Sequence, residues 1–362
     1  MESSTINSTS LPPLLQRYSW VELLQIHAPE ANMLDKVVSP IFYLIGFVGN
    51  TISAKIWLER RMRINNSSAI YLATLSITDL IFLILHIIME LKYAWGVEVL
   101  DFPVVCEVFF LLYQLVQYLS PILVLAFTAE RYIAVCHPFL KERYCTPSKA
   151  VRLVCILISF CVLLSAIQAY FWSYYDKACQ VRIEVTIGGE LSLWSIWAWA
   201  SEILTFFLVP FIILIFNIFV IVEVRKLSRS GRTMLPWQAP TSSATAATTV
   251  MLLSVSFYVI LTTIPASVVF SLHYDEGDGS LTDDEVRQDP TWQKYFHFLF
   301  VRKIVEEICL THFSCNIFLY IITGTQFRKA LFDTLKLKRC VKESKYAEVN
   351  VASNSVTYQT RL

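Results

Sequence analysis

Seven apolar runs organise this chain, at about 37–58, 69–93, 103–135, 150–172, 195–224, 248–272 and 296–323, each about 20 residues or longer. A helix rises 1.5 Å per residue, so every run is long enough to cross a hydrocarbon core of roughly 30 Å. With 55% hydrophobic and only 16% charged residues, a chain of 362 residues is too apolar for a soluble protein of several domains. The expectation is an all-α fold, a bundle of seven transmembrane helices. A short amphipathic eighth helix follows, where Gln326 to Phe332 alternates basic and apolar faces at helical spacing against the inner lipid surface. The chain then divides into an N-terminal segment (1–36), the bundle (37–323), the amphipathic helix (324–340) and a tail (341–362).

Net charge is +1, and no basic stripe interleaved with aromatics marks a nucleic-acid partner. The distribution of charge orients the chain. Arg60, Arg61 and Arg63, then Lys141, Arg143 and Lys149, then Arg225, Lys226, Arg229 and Arg232 occupy alternate connections, whereas Ala94 to Phe102 carries no Lys or Arg. The positive-inside rule therefore predicts a multi-pass plasma-membrane protein with its N-terminus outside and its Lys-rich C-terminal tail in the cytosol. The first 36 residues open polar and lack the basic-then-apolar layout of a cleaved signal peptide, so the first span is expected to act as its own insertion signal. Asn7-Ser8-Thr9 is a glycosylation sequon on the outer side, while Asn65-Asn66-Ser67 falls inside and is expected to stay bare.

Nine cysteines cannot all pair, and compartment sorts them. Cys106 and Cys179 are the two expected outside, where they would join the top of the third helix to the second outer loop. Cys155, Cys161, Cys309 and Cys315 read as small buried residues. Cys340, among basic residues past the last span, reads as a palmitoylation site or as a free cytosolic thiol.

Glu130-Arg131-Tyr132 closes the third run, and Arg131 lies 25 residues, or about 37 Å of helix, beyond Cys106. A charged pair inside an apolar segment is costly, so a switch is the sharp reading and a basic helix-end anchor the plain one. Steps of three or four residues line up Tyr113, Gln117, Ser120, Thr128 and Arg131 on the third helix. They also line up Asp79, His86 and Glu90 on the second, and Arg302, Glu306, Phe313, Asn316 and Tyr320 on the seventh. Ionisable groups avoid lipid, so these stripes converge on one another or on water. Asp79, Ser120, Asn316 and Asn50, at mid-depth, offer the oxygen and amide groups that hold a hydrated Na⁺ as an allosteric ion; a buried hydrogen-bonded network accounts for them equally.

In the outer third, Glu90, Glu202 and Glu306 come from three helices, with Tyr113, Gln114, Gln117, Trp199 and Phe206 nearby. Carboxylates in an aromatic hollow favour a ligand with a cationic group. Against this, Arg302 stands one turn from Glu306 and would neutralise it. Asp275, Glu276, Asp278, Asp283, Asp284 and Glu285 crowd the third outer loop, either to attract a basic ligand or simply as a solvated loop. Trp172, Trp194, Trp197 and Trp199 fall near outer boundaries and read as interfacial anchors.

These motifs together resemble the rhodopsin-like G-protein-coupled receptors: Gly49-Asn50, Leu75 to Asp79, Cys106, Glu130-Arg131-Tyr132, Pro210, Pro265, Asn316 to Tyr320, and Phe327-Arg328. Asn316-Ile317 in place of the usual Asn-Pro, with Pro210 and Asn217, makes the chain look like the FMRFamide, myosuppressin, sex-peptide and thyrotropin-releasing-hormone receptor branch. The resemblance implies a neuropeptide ligand outside, a heterotrimeric G protein and arrestin inside, and a Cys106–Cys179 disulfide. It also implies that Arg131, once freed from Glu130, engages the G protein, that Asp79 centres a sodium site, and that Pro265 is a hinge. Thr263, Ile218 and a fourth helix without its usual tryptophan depart from the pattern, and Pro121 is expected to interrupt the third helix. Thr245, where some members carry an acid, implies a weak resting lock and measurable basal signalling.

An amine ligand is disfavoured because Tyr113 stands where amine receptors place an aspartate, and a light receptor because Leu310 stands where the retinal lysine would be. An aromatic amino acid or other small molecule remains the alternative ligand. A transporter would also explain buried carboxylates, but no half-repeat is apparent. No paired nucleophile and base and no metal-spaced His cluster indicates an enzyme, and His86 and His312 read as core residues. Thr360-Arg361-Leu362 suits a PDZ domain, which captures a C-terminal carboxylate beside an apolar side chain.

Overall fold

A computed structural model describes residues 14–64, 66–231, 242–270, 272 and 277–335. Asn7, Cys340, the Thr360-Arg361-Leu362 terminus, Asp275, Glu276 and the side chain of Thr245 lie outside the described residues. Among those described, six helices are long and apolar enough to cross a membrane: Pro29–Leu58, Ser67–Tyr93, Val105–Cys136, Pro147–Phe171, Leu193–Lys226 and Thr249–Phe270. A seventh span is formed by Pro290–Ser314 and Asn316–Thr323, bent by 52° at Cys315. The amphipathic helix, Thr325–Thr334, buries Phe327 and Ala330 against Trp57 and Tyr320.

The third span is the hub, packing against the second, fourth, fifth and sixth. Leu123, Val124 and Phe127, all fully buried, carry its contacts in the main core. Gly49 brings the first span close to the seventh, since a Cβ there would stand 2.8 Å from the Ile317 side chain. Pro121 does not interrupt the third helix, which is continuous from Val105 to Cys136. Proline removes one backbone donor, and neighbouring helices in a bundle tolerate that loss.

The break in the seventh span has a side-chain cause. Asn316 Nδ2 donates to the His312 carbonyl at 2.8 Å, and Asn50 Nδ2 donates to the Phe313 carbonyl at 2.7 Å. Side chains thus take up two acceptors that a continuing helix would satisfy with its own N–H groups, so the bend forms without a proline at Ile317.

One small departure from an all-α fold sits outside. Trp172–Tyr175 (β1) and Ala178–Val181 (β2) form an antiparallel hairpin closed by Asp176 and Lys177 at positive φ. The Cys106–Cys179 disulfide fastens this hairpin to the third span, with Cα atoms 5.5 Å apart. Asp101 adds a second fastening, lying 2.5 Å from Lys92 Nζ and accepting the Cys179 N–H at 2.5 Å.

The N-terminal segment is more structured than its polar opening suggests. The helix Trp20–His27 is capped by Ser19 and Glu22, and the first span begins at Pro29 rather than near 37. Leu14, Leu23, Val286 and Trp292 bury one another, joining this segment to the third outer loop. Tyr18 donates to Asp283 at 2.6 Å, and Leu14 N donates to the Gly279 carbonyl at 2.9 Å. Asp278 accepts the Ser280 N–H and Glu285 accepts the Thr282 N–H; these bonds hold both carboxyls below their usual range. Asp278 and Glu285 therefore serve the loop's own folding, and Asp283 its attachment to the N-terminal segment.

Candidate ligand cavity and cytosolic switch

The outer ends of the spans enclose a cavity of about 580 Å³. Its walls include Glu90, Tyr113, Gln114, Gln117, Glu202, Phe206 and Glu306, all seven residues expected of a ligand site. A π-helical turn at Ile203–Leu208 follows Glu202 and carries Phe206 into the wall. Three tryptophans expected at the membrane interface belong here instead: Trp172, Trp194 and Trp197 line the cavity. Trp172 stacks on Phe110 with ring centroids 3.5 Å apart and meets Trp194 edge-on at 5.6 Å. The disulfide-fastened hairpin turns Trp172 inward, whereas Trp199 is exposed on the outer face of its helix.

The three carboxylates are not equivalent. Glu306 is held by Arg302 Nε at 3.0 Å and by Lys303 Nζ at 3.0 Å. Lys303 in turn reaches Asp35 on the first span at 2.9 Å. Glu90 is buried, and its Oε2 has no hydrogen-bond partner among the described residues. Neither Lys303 nor Asp35 was expected at the site, because Asp35 precedes the apolar run and Lys303 lies off the Arg302–Glu306 stripe. The extension of the first span to Pro29 and the crossing of the first and seventh spans bring them together. Glu307, also unexpected, accepts a hydrogen bond from Ser39. Arg302 is exposed and lies over the Phe270 ring, 5.2 Å from its centroid.

At mid-depth, fully buried Asp79 accepts from Ser120 Oγ at 3.0 Å and from Asn316 Nδ2 at 3.0 Å. Asn50, although equally buried, bonds the seventh-span backbone. The Oδ1 atoms of Asn50 and Asn316 lack partners among the described residues. Asn316, which bonds Asp79, thus keeps an orphan oxygen of the donor type that hard cations take. His86, expected in the core, is half-buried and lines the cavity, where it meets the Tyr43 hydroxyl at 2.8 Å; His312 is buried and packs on Phe313. Cys155 is exposed on the fourth span rather than buried, while Cys161 is enclosed.

On the opposite side, Arg131 Nη2 lies 3.7 Å from Glu130 Oε1. Two serines opening the second span complete the arrangement: Ser67 donates to Glu130, and Arg131 donates to Ser68. Glu130 is thus satisfied from two directions and Arg131 is turned back on its own bundle. Tyr132 packs against Phe216 and Phe219 of the fifth span. Asn217 and Ser256 hydrogen-bond at 2.9 Å between the fifth and sixth spans. Thr263 Oγ1 bonds the Val259 carbonyl one turn back, two residues before Pro265, and the helix runs through that proline. Tyr320 is fully buried, with its hydroxyl unpartnered among the described residues.

The family described as "7 transmembrane receptor (rhodopsin family)" matches residues 51–323. The chain belongs to this family, whose members are signalling receptors rather than enzymes. It is similar to the pyrokinin-1 receptor of Drosophila melanogaster, 30% identical over 42% of this chain and 34% of that one. It is also similar to neuromedin-U receptor 2 of Rattus norvegicus, 28% identical over 42% of this chain and 40% of that one. A longer match, to C-C chemokine receptor type 1 of Homo sapiens, is 23% identical over 83% and 79%. The chain thus spans 34–40% of the length of the first two relatives.

Proposed function

We propose that this receptor binds an extracellular peptide bearing a cationic group and passes the signal to a heterotrimeric G protein. The observation that carries the ligand chemistry is the buried Glu90 Oε2, without a hydrogen-bond partner among the described residues, in an aromatic-walled cavity. Glu306, already between Arg302 and Lys303, is the weaker partner for a ligand cation. Arg302, exposed at the cavity, is placed to receive an acidic or carbonyl group of the same ligand. Relatives named for pyrokinin and neuromedin-U support the peptide class. The tryptophan-rich wall favours an aromatic residue in that peptide, or an aromatic amino acid as the alternative ligand.

Binding that prefers an open bundle would draw Arg131 away from Ser68 and Glu130 toward the G protein. The orientation is N-terminus outside in the plasma membrane, and Na⁺ at Asp79, Ser120 and Asn316 would favour the resting form. Glycosylation at Asn7, palmitoylation at Cys340, arrestin binding and PDZ capture of Leu362 belong to the same account. Concentration–response curves for basic and neutral peptide analogues on cells with the native chain and with Glu90→Gln test the ligand reading. The expected loss is about 1–3 kcal/mol in potency, confined to basic analogues. An equal loss for neutral analogues would return Glu90 to a structural role.

A further inference from the structure

Between the hairpin and the fifth span, the second outer loop carries an arm, 182–192, whose outward side chains are largely apolar. Ile183, Ile187 and Leu191, at steps of four residues, are 70%, 72% and 82% exposed, while Val185 and Ser192 are buried. The arm has a defined shape. Ile183–Thr186 is one helical turn, Gly188 and Gly189 take positive φ, and Ser195 Oγ donates to the Gly189 carbonyl at 3.0 Å. Ser192 then caps the helix Leu193–Glu202. None of the three exposed residues lines the ligand cavity. Apolar groups presented together on a surface mark a contact with something apolar.

The same character runs on down the fifth span. Leu193, Ile196, Ile203 and Phe207 fall on one helical face, and each is at least half exposed. Such a face on a membrane-crossing helix meets lipid. The span is 34 residues long, or about 50 Å of helix, against roughly 40–45 Å for a bilayer with its headgroups. Its outer end, and the arm joined to it, therefore lie at headgroup depth. Charge on the arm is sparse: Arg182 is held over the Tyr170 ring, 5.4 Å from its centroid, which leaves the acids Glu184 and Glu190. A neutral lipid surface suits this arm better than an anionic one, since its one cation is already engaged.

We infer that the arm is a membrane anchor, with Ile183, Ile187 and Leu191 entering the headgroup boundary of the outer leaflet and prolonging the lipid-facing stripe of the fifth span. The bilayer would hold the second outer loop at its far end, as the Cys106–Cys179 disulfide holds it at the near end. Trp194 of the cavity wall follows directly on the arm, so this contact would also steady the ligand cavity. The outer-leaflet assignment rests on the orientation proposed above, whereas the contact with lipid does not.

The test places dansylalanine at Ile187 of the full-length receptor, in phosphatidylcholine nanodiscs holding one receptor each. The same probe at Phe207 is the lipid reference, and at Tyr175, exposed beside the hairpin turn, the water reference. The Ile187 probe is expected to be quenched by doxyl-labelled phosphatidylcholine and shielded from iodide, as at Phe207, with the reverse at Tyr175. Adding Ile183→Asp/Leu191→Asp is expected to abolish the lipid quenching, and Ile183→Leu/Leu191→Met to keep it, which separates lost apolar contact from lost folding. Iodide quenching at Ile187 equal to that at Tyr175, or lipid quenching unchanged by the two aspartates, would overturn the inference. Shielding from iodide that arises only in discs holding two receptors, without lipid quenching, would overturn it in favour of a contact with a second copy.

Discussion

Charge in this protein is decided residue by residue. Lys303 is the clearest case, because it bridges Asp35 and Glu306 across two spans in a mostly buried position. Replacing it with methionine leaves Asp35 without this cation and Glu306 with Arg302 alone. Removing one partner of a buried pair typically costs about 3–5 kcal/mol. Lys303→Met is therefore expected to lower the melting temperature of the purified receptor, and an unchanged melting curve would show that Asp35 and Glu306 find other partners. Asp35→Asn is expected to do less, since Lys303 keeps Glu306. The stripes of Asp79, Glu90, Glu306 and Asn316 were legible from sequence because buried polar groups stand out against apolar runs. Lys303, Glu307, Ser67 and Ser68 were not, since their roles depend on partners from other helices that spacing along one helix cannot reveal.

Among the elements, the N-terminal helix is the least expected. His27 stacks on Phe296 with ring centroids 5.3 Å apart, and neither ring nitrogen has a partner among the described residues. Burial pushes its pKa below the ordinary 6.5, Asp283 opposes that shift, and Arg287 and Arg17 add to it. The folded segment therefore favours the neutral imidazole. Its contribution is complete above about pH 6.5 and is lost as pH falls toward the lowered folded value. Amide hydrogen exchange across Trp20–His27 is expected to speed up on acidification, and His27→Phe is expected to abolish that dependence. An unchanged pH response in the variant would move the effect to other groups. The third span invites a separate test: Pro121→Ala restores a backbone donor and is expected to raise thermal stability. A fall instead would mean that the proline shapes the core in a way alanine cannot. Element existence was legible from hydropathy, but the bend at Cys315 was not, because it arises from Asn316 bonding the carbonyl four residues back and Asn50 bonding a carbonyl of the seventh span from the first.

At the scale of the whole molecule, two polar regions are separated by a packed core. The outer cavity gathers Glu90, Arg302 and the tryptophans, and the inner face gathers Arg131, Ser67 and Ser68, with Asp79 and Asn316 between them. A ligand acting on one end influences the other only if it prefers one of two packings of this bundle. The central claim is that peptide binding outside releases Arg131 inside. The most direct measurement is the calcium and cAMP response of cells expressing the native chain or Arg131→Ala to a library of amidated peptides and free aromatic amino acids. Binding of the active peptide to both chains is followed in parallel. The account predicts a peptide that binds both but signals only through the native chain. A full response from Arg131→Ala at equal surface expression would contradict it.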